Sequence, residues 1–364
     1  MKIKEVLNAL EIFAPLPLQD GFDNAGLQLG LTEVEITGAL LCLDVTEAVI
    51  NEAIDLGYNL IIAHHPLLFK GYKSITGKNY VERCILKAIK NDIVVYAAHT
   101  NLDNAPQGVN YKIASILGLQ NIRILSAKEN ALSKLVTFVP VNSIEKVRNA
   151  LFEAGCGNIG NYDCCSYNVE GEGSFRANEE AHPFVGSKGE LHFEKEIRIE
   201  TIFPSYKNDT ILKALFQTHP YEEVAYDIYP LNNRWEQVGS GVIGTLNEPM
   251  LAMDFLLRVK EKFNAGCVLH NCNKNRKIKK IALCGGAGSF LIPQALRQGA
   301  DLFLTGEIKY HDYFGYENQM ILAAIGHYES EQYTSNLLLD YLNKHFPQID
   351  KKISTINTNP IKYL

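Results

Sequence analysis

The chain has 364 residues, 46% hydrophobic and 21% charged, with 41 acidic residues against 35 Lys and Arg and a formal net charge of -6. That length calls for two or three domains and that composition for an ordinary globular protein, while the acidic balance argues against general DNA or RNA binding. No apolar stretch approaches the roughly 20 residues needed to span a bilayer and no signal-peptide pattern opens the chain, so a cytoplasmic protein with no membrane partner is expected.

In chain order, the first third alternates strand and helix. Residues 36–43 read as a strand; Thr46 caps a helix that ends near Gly57; residues 59–63 form the next strand. A helix over 79–90, a strand over 93–97 and a helix over 109–117 closed by Gly118 follow. The last third repeats the pattern, with strands over 280–284, 301–304 and 320–325. Helices are expected over 290–298, after Thr305-Gly306-Glu307, and over 330–345. Continuous apolar strands separated by amphipathic helices predict an α/β fold with mostly parallel sheets. The middle differs: strand at 135–139, helix to about 154, strand at 190–203, helix at 207–218 and strand at 223–229. We read it as a ferredoxin-like β-α-β-β-α-β unit over 126–243, inserted into a discontinuous α/β domain made of 1–125 and 244–364.

Three strand ends carry the chemistry. His64 and His65 follow Leu60-Ile61-Ile62-Ala63, and successive side chains at a strand tip point to opposite sides, so the two imidazoles can face different ions. His99-Thr100-Asn101-Leu102-Asp103 follows a second apolar run, and His327-Tyr328-Glu329-Ser330-Glu331 a third. Ligands of open α/β sheets bind at the carboxyl ends of strands. His327 and Glu331, four apart, share one helix face. His64, His65, Asp103, His327 and Glu331 are five candidate ligands for divalent metal, with Glu331 free to bridge two ions; imidazole with carboxylate suits zinc, iron or manganese. His99 alone reads as a hydrogen-bonded core histidine. None of the eight cysteines forms a CxxC pair, and they read as free thiols.

Glu307 and His311, also four apart, are candidates for orienting ligands or moving a proton. Gly285-Gly286-Ala287-Gly288, between a strand and a helix, is either a phosphate cradle or a plain tight turn. Asp23-Asn24 reads as a polar loop.

Taken together, Asp23-Asn24-Ala25-Gly26-Leu27, Ala63-His64-His65-Pro66, His99-Thr100-Asn101-Leu102-Asp103, Thr305-Gly306-Glu307 with His311, and Gly326-His327 with Glu331 resemble the NIF-three-like family, the GTP cyclohydrolase 1 type 2 homologues. The middle segment looks like the PII/CutA-like insert of the family's longer members. The resemblance implies two divalent metal ions per chain, with His64, Asp103 and Glu331 around one and His65, His327 and Glu331 around the other. Asp23 and Asn24 would line the site. It also implies a toroidal homohexamer whose inserts cap an internal cavity. The expected function is metal-dependent hydrolysis of a nucleotide or related phosphorylated small molecule; the alternative is a non-catalytic metal- or ligand-sensing hexameric scaffold.

Overall fold

A computed structural model describes residues 1–364 as two compact units, one made of Met1–Ala127 with Gln237–Leu364 and the other of Lys128–Glu236. The first is a mixed α/β body with two sheets.

Its five-stranded sheet runs Gly26–Leu29, Val94–Ala97, Leu60–Ala63, Ala39–Cys42 and Lys351–Ile353 in spatial order. The last four strands are mutually parallel and Gly26–Leu29 joins the edge antiparallel. Ala39–Cys42, Leu60–Ala63 and Val94–Ala97 are buried at every position, which is why they read as unbroken apolar runs rather than alternating ones. Between them, Glu47–Leu56 starts at Thr46, whose side chain accepts from the Val49 amide, and stops at Gly57 in the left-handed region. Tyr80–Lys90 starts at Asn79, which accepts from the Glu82 amide. Both helices bury their apolar faces in one cluster with the sheet, including Val49, Ile50, Cys84, Ile85, Ile61 and Val95.

The six-stranded sheet has a parallel centre of Lys277–Cys284, Leu302–Thr305 and Ile321–Ala324. Trp235–Leu251 and Leu269–His270 flank that centre antiparallel, and Gln120–Lys128 forms the far edge beside Trp235–Leu251. The three central strands of the first sheet and the strands Leu302–Thr305 and Ile321–Ala324 of the second run into residues that carry imidazole or carboxylate, whereas Lys277–Cys284 runs into the glycine turn 285–288.

Three local expectations are corrected. No helix follows Gly306; the chain runs irregularly to a single 3-10 turn at Tyr310–Tyr313. The expected helix over 330–345 is two helices, His327–Glu331 and Thr334–His345, with a break at Gln332 and Tyr333. Two edge strands escaped the sequence reading: Gly26–Leu29 is interrupted by Gln28 and Lys351–Ile353 opens on two lysines, so neither shows a continuous apolar run.

In the second unit the order is strand Leu132–Pro140, helix Ile144–Ala154, strands Tyr167–Arg176 and Leu191–Pro204, helix Asn208–Thr218 and strand Tyr226–Leu231. The sheet is antiparallel throughout, in the spatial order second, third, first, fourth. Leu135, Val139, Ile197, Ile199 and Phe203 form its core with Val147 and Leu151 of one helix and Ile211 and Leu215 of the other. Tyr167–Arg176 is almost wholly exposed and rich in Glu and Gly, so no apolar alternation announced it.

Candidate metal centre

Each cluster residue stands where a strand stops. His64 and His65 directly follow Leu60–Ala63, and their amides continue the sheet by donating to the Cys42 and Leu43 carbonyls. His99 follows Val94–Ala97 by two residues and precedes the five-residue helix Thr100–Asn104, which carries Asp103. His327 and Glu331 begin and end the short helix after Ile321–Ala324.

Glu331, 4% exposed, lies at the centre. Its Oε2 is 3.0 Å from His65 Nε2 and 3.1 Å from His327 Nε2, and its Oε1 is 3.7 Å from His64 Nε2. His64 Nε2 is also 3.8 Å from Asp103 Oδ1. The expectation that His64 and His65 splay to opposite sides needs refinement: their rings are 4.9 Å apart, both within reach of Glu331, and they differ in which other groups they face.

The Nδ1 atoms are held from behind. His64 Nδ1 bonds the Ala98 carbonyl at 2.7 Å, His65 Nδ1 the Asp44 carboxylate at 2.7 Å, His99 Nδ1 the Asp23 carboxylate at 2.7 Å and His327 Nδ1 the Glu307 carboxylate at 2.9 Å. An acceptor at Nδ1 keeps the proton there and leaves the Nε2 lone pair free, which is the tautomer a metal-ligating histidine needs. For His64 the acceptor is a carbonyl, so that assignment follows directly.

Two observations test the fit to a cation. His64 Nε2 and Asp103 Oδ1 are buried without any hydrogen-bond partner, a costly state that a shared cation relieves. Ligand atoms about 2.0–2.2 Å from one ion in tetrahedral geometry lie about 3.4 Å apart, and the spacings above bracket that value. Three groups have ligand atoms mutually within 4.8 Å: His64 with Asp103 and Glu331, His65 with His327 and Glu331, and His64 with His65 and His99. The donor set therefore suits a metal ion.

The charge balance fits as well. Burial and the neighbouring Glu331 charge push the Asp103 carboxyl well above its ordinary value. Burial works against ionisation of Glu331 too, but the histidine hydrogen bonds outweigh it and hold this carboxyl well below the usual range. Burial disfavours a charged His65, yet Asp44 and Glu331 more than compensate and raise it to about 10; the Glu331 hydrogen bond raises His327 to about 9. Burial lowers His64. Asp23, opposed by burial but bonded by His99 and by the Thr100 amide and hydroxyl, sits at about 2.

Two further expectations change. With no helix there, the four-residue spacing of Glu307 and His311 brings neither onto a common face. Glu307 touches the cluster through His327, whereas the exposed His311 ring lies against Tyr310 and Phe314. Three amides of the glycine turn are already engaged, which favours the plain tight turn over the phosphate cradle: Gly285 N donates to Asn110, Gly286 N to Ser330 Oγ and Gly288 N to Thr305 Oγ1. Close approach explains its glycines. A Cβ at Gly286, whose φ is +60°, would lie 2.3 Å from Glu331 Oε1, and one at Gly306 would lie 2.6 Å from the Gly286 carbonyl oxygen.

Sequence reasoning missed Asp44, which no motif flags because its pairing with His65 spans neighbouring strand ends, and it undervalued His99. The signal for His99 was present in Asp23, a loop carboxylate with no other evident partner. Asn24 anchors the same loop by donating to the Leu68 carbonyl at 2.6 Å. The cluster opens into a cavity of about 480 Å³, bordered by Phe22, Phe69 and Phe290. No helix of the chain is long and apolar enough to cross a membrane.

A mixed α/β body with a buried histidine–carboxylate cluster at the carboxyl ends of its strands defines a candidate metalloprotein. The family model for Duf34/NIF3 (NGG1p interacting factor 3) matches residues 1–360, and the chain belongs to this family. A Halalkalibacterium halodurans protein named GTP cyclohydrolase 1 type 2 homolog is 42% identical over 307 residues, covering 84% of this chain and 82% of that one. A Bacillus subtilis protein of the same name is 37% identical over 370 residues, covering 99% of this chain and 98% of its own. Among solved structures, a Bacillus cereus protein related to NIF3 superposes with a TM-score of 0.86 at 37% identity, covering 100% of this chain and 99% of the other.

Proposed function

We propose that the chain is a dinuclear divalent-metal protein that hydrolyses a nucleotide or a related phosphorylated small molecule. The observation that carries this reading is Glu331, whose two oxygens face two different sets of partners: Oε1 toward His64, near Asp103, and Oε2 toward His65 and His327. A carboxylate so placed suits a bridge between two ions, with His64 and Asp103 completing one site and His65 and His327 the other. Zinc, iron or manganese would supply Lewis acidity and acidify water at neutral pH.

The chain's own residues do the rest. The Ala98 carbonyl, Asp44 and Glu307 fix the imidazoles from behind, so little reorganisation is needed when substrate arrives. Glu307, exposed and bonded to His327, is the carboxylate suited to take up a proton. Phe22, Phe69 and Phe290 present exposed rings around the cavity, surfaces on which a nucleobase can stack. That feature supports a nucleotide-like substrate, as does the name of the relatives, GTP cyclohydrolase 1 type 2 homolog.

The β-α-β-β-α-β order and the antiparallel sheet of the second unit support a ferredoxin-like, PII/CutA-like insert domain. With it goes the expected toroidal homohexamer, which light scattering of the purified protein would test.

The decisive experiment is elemental analysis of the full chain beside its His65→Ala variant, followed by a turnover screen of nucleotides and phosphoesters. Two ions per chain, at most one in the variant, and turnover that falls with metal content are expected. Two ions retained in His65→Ala would remove His65 from the ligand set, and metal-loaded protein without turnover on any of these substrates would leave a binding protein rather than a hydrolase.

A further inference from the structure

The sheet of the Lys128–Glu236 unit packs one face on its two helices and leaves the other open. Alternation along the strands puts Phe138, Glu196 and Arg198 on the open face. Register then fixes the edge strand: Val169 pairs with Arg198 and Gly171 with Glu196, so Val169, Gly171, Gly173 and Phe175 share that face. The two glycines remove side chains from the middle of the row and open a trough between Val169 and Phe175. Glycine inside a strand commonly marks a place where another group must approach closely. Here a Cβ at Gly173 would lie 2.2 Å from Glu196 Oε2.

The trough is part of a cavity of about 660 Å³, within the range of small-molecule sites. Its walls are aromatic: Tyr221 lies 6.2 Å from Phe175 and 6.3 Å from Phe184, ring centre to ring centre. On its floor is Glu196, only 9% exposed. The Tyr221 hydroxyl donates to Glu196 Oε1 at 2.9 Å, and no donor of the chain reaches Oε2. Two nearby bases are committed elsewhere: Lys134 and Arg198 both pair with Glu200 at 2.9 Å. The cavity's lining adds Glu222 and Glu223 against Arg198; Glu170, Glu172 and Arg176 also border it, but alternation turns their side chains to the opposite face of the edge strand.

We propose that this trough binds a small organic cation with a flat apolar body, an amidine or a protonated amino-heterocycle. The cationic group would pair with Glu196 Oε2 while the body lies among Phe175, Phe184 and Tyr221, combining a charge-assisted hydrogen bond with cation–π attraction. Neither the metal cluster nor the hydrolytic reading enters the argument, so the two can fail separately.

The test is calorimetric titration of the full chain with benzamidinium as the probe and benzyl alcohol as its uncharged counterpart. Saturable binding of benzamidinium alone is expected, weakened at least tenfold in Glu196→Gln, abolished in Gly173→Val and unchanged in Glu170→Gln. Far-UV circular dichroism checks that each variant folds, and if Gly173→Val does not, Glu196→Gln decides by itself. Binding of the two probes with equal strength, equal binding by Glu196→Gln, or no saturable binding at millimolar probe would each overturn the proposal. So would a finding that Gly173→Val dissociates the protein's oligomer, because the trough would then be covered by a second copy of the chain.

Discussion

Glu331 Oε2 and His65 Nε2 meet at 3.0 Å although 266 positions separate the two residues. The contact joins the end of a strand in one sheet to the end of a short helix that follows a strand of the other. The cluster therefore forms only when both sheets of the first unit are in place.

Replacing the shared carboxylate should remove the site while sparing the fold. Glu331→Gln keeps the shape and loses the charge, and metal affinity should drop by at least about 100-fold, the upper end of what loss of an outer partner costs. Inductively coupled plasma analysis after dialysis reads the result; full metal content with an unchanged circular dichroism spectrum contradicts the bridging role.

Asp44 acts through His65 rather than by touching metal. Its Oδ1 holds His65 Nδ1 and its Oδ2 accepts from Thr358 Oγ1 at 2.6 Å. Asp44→Ala should weaken metal binding by about 10–100-fold without changing the number of ions at saturation. Competition against a coloured chelator separates affinity from stoichiometry.

Metal binding should release protons. In the metal-free site His65 and His327 titrate at about 10 and about 9, so both carry a proton at neutral pH, and ligation requires both neutral. Apparent affinity should consequently rise with pH up to about 10, and the heat of binding at pH 7 should depend on the buffer's ionisation enthalpy. A buffer-independent heat would mean that these imidazoles are already neutral.

Gly286→Ala combines two penalties. A left-handed backbone costs a residue with a Cβ about 1–2 kcal/mol, and the new carbon collides with Glu331 Oε1. Thermal unfolding should show a loss of at least that size, accompanied by lower metal content. Unchanged metal content would show that Glu331 can shift without losing its ligands.

Far from the cluster, Glu82 contributes to acid stability. It accepts from the Thr76 and Lys78 amides, the Thr76 hydroxyl and Asn79 Nδ2, and those hydrogen bonds, led by the Thr76 amide, hold its carboxyl at about 2 against an ordinary 4.5. A carboxylate lowered in the folded state stabilises fully above its unfolded value and loses that contribution as pH falls toward the folded one. Stability should therefore decline between about pH 4.5 and 2, and Glu82→Gln, less stable at pH 7, should show a shallower decline. Parallel urea midpoints for the two proteins across that window would refute the assignment.

Much of this protein was legible along the chain. The buried parallel strands announced themselves as continuous apolar runs, the helices by Thr46, Asn79, Gly57 and Gly118, and His64, His65, Asp103, His327 and Glu331 by their positions just past strand ends. Those are local signals, written in neighbouring residues. What only the tertiary structure decided were pairings across elements: Asp44 behind His65, Asp23 behind His99, Glu307 behind His327 and not in a helix with His311, and amides of the glycine turn spent on Asn110, Ser330 and Thr305. The physical reason is that a hydrogen bond between distant segments leaves no periodicity in either of them, and an exposed strand such as Tyr167–Arg176 is held by its backbone bonds to a neighbour, which side-chain patterning does not record.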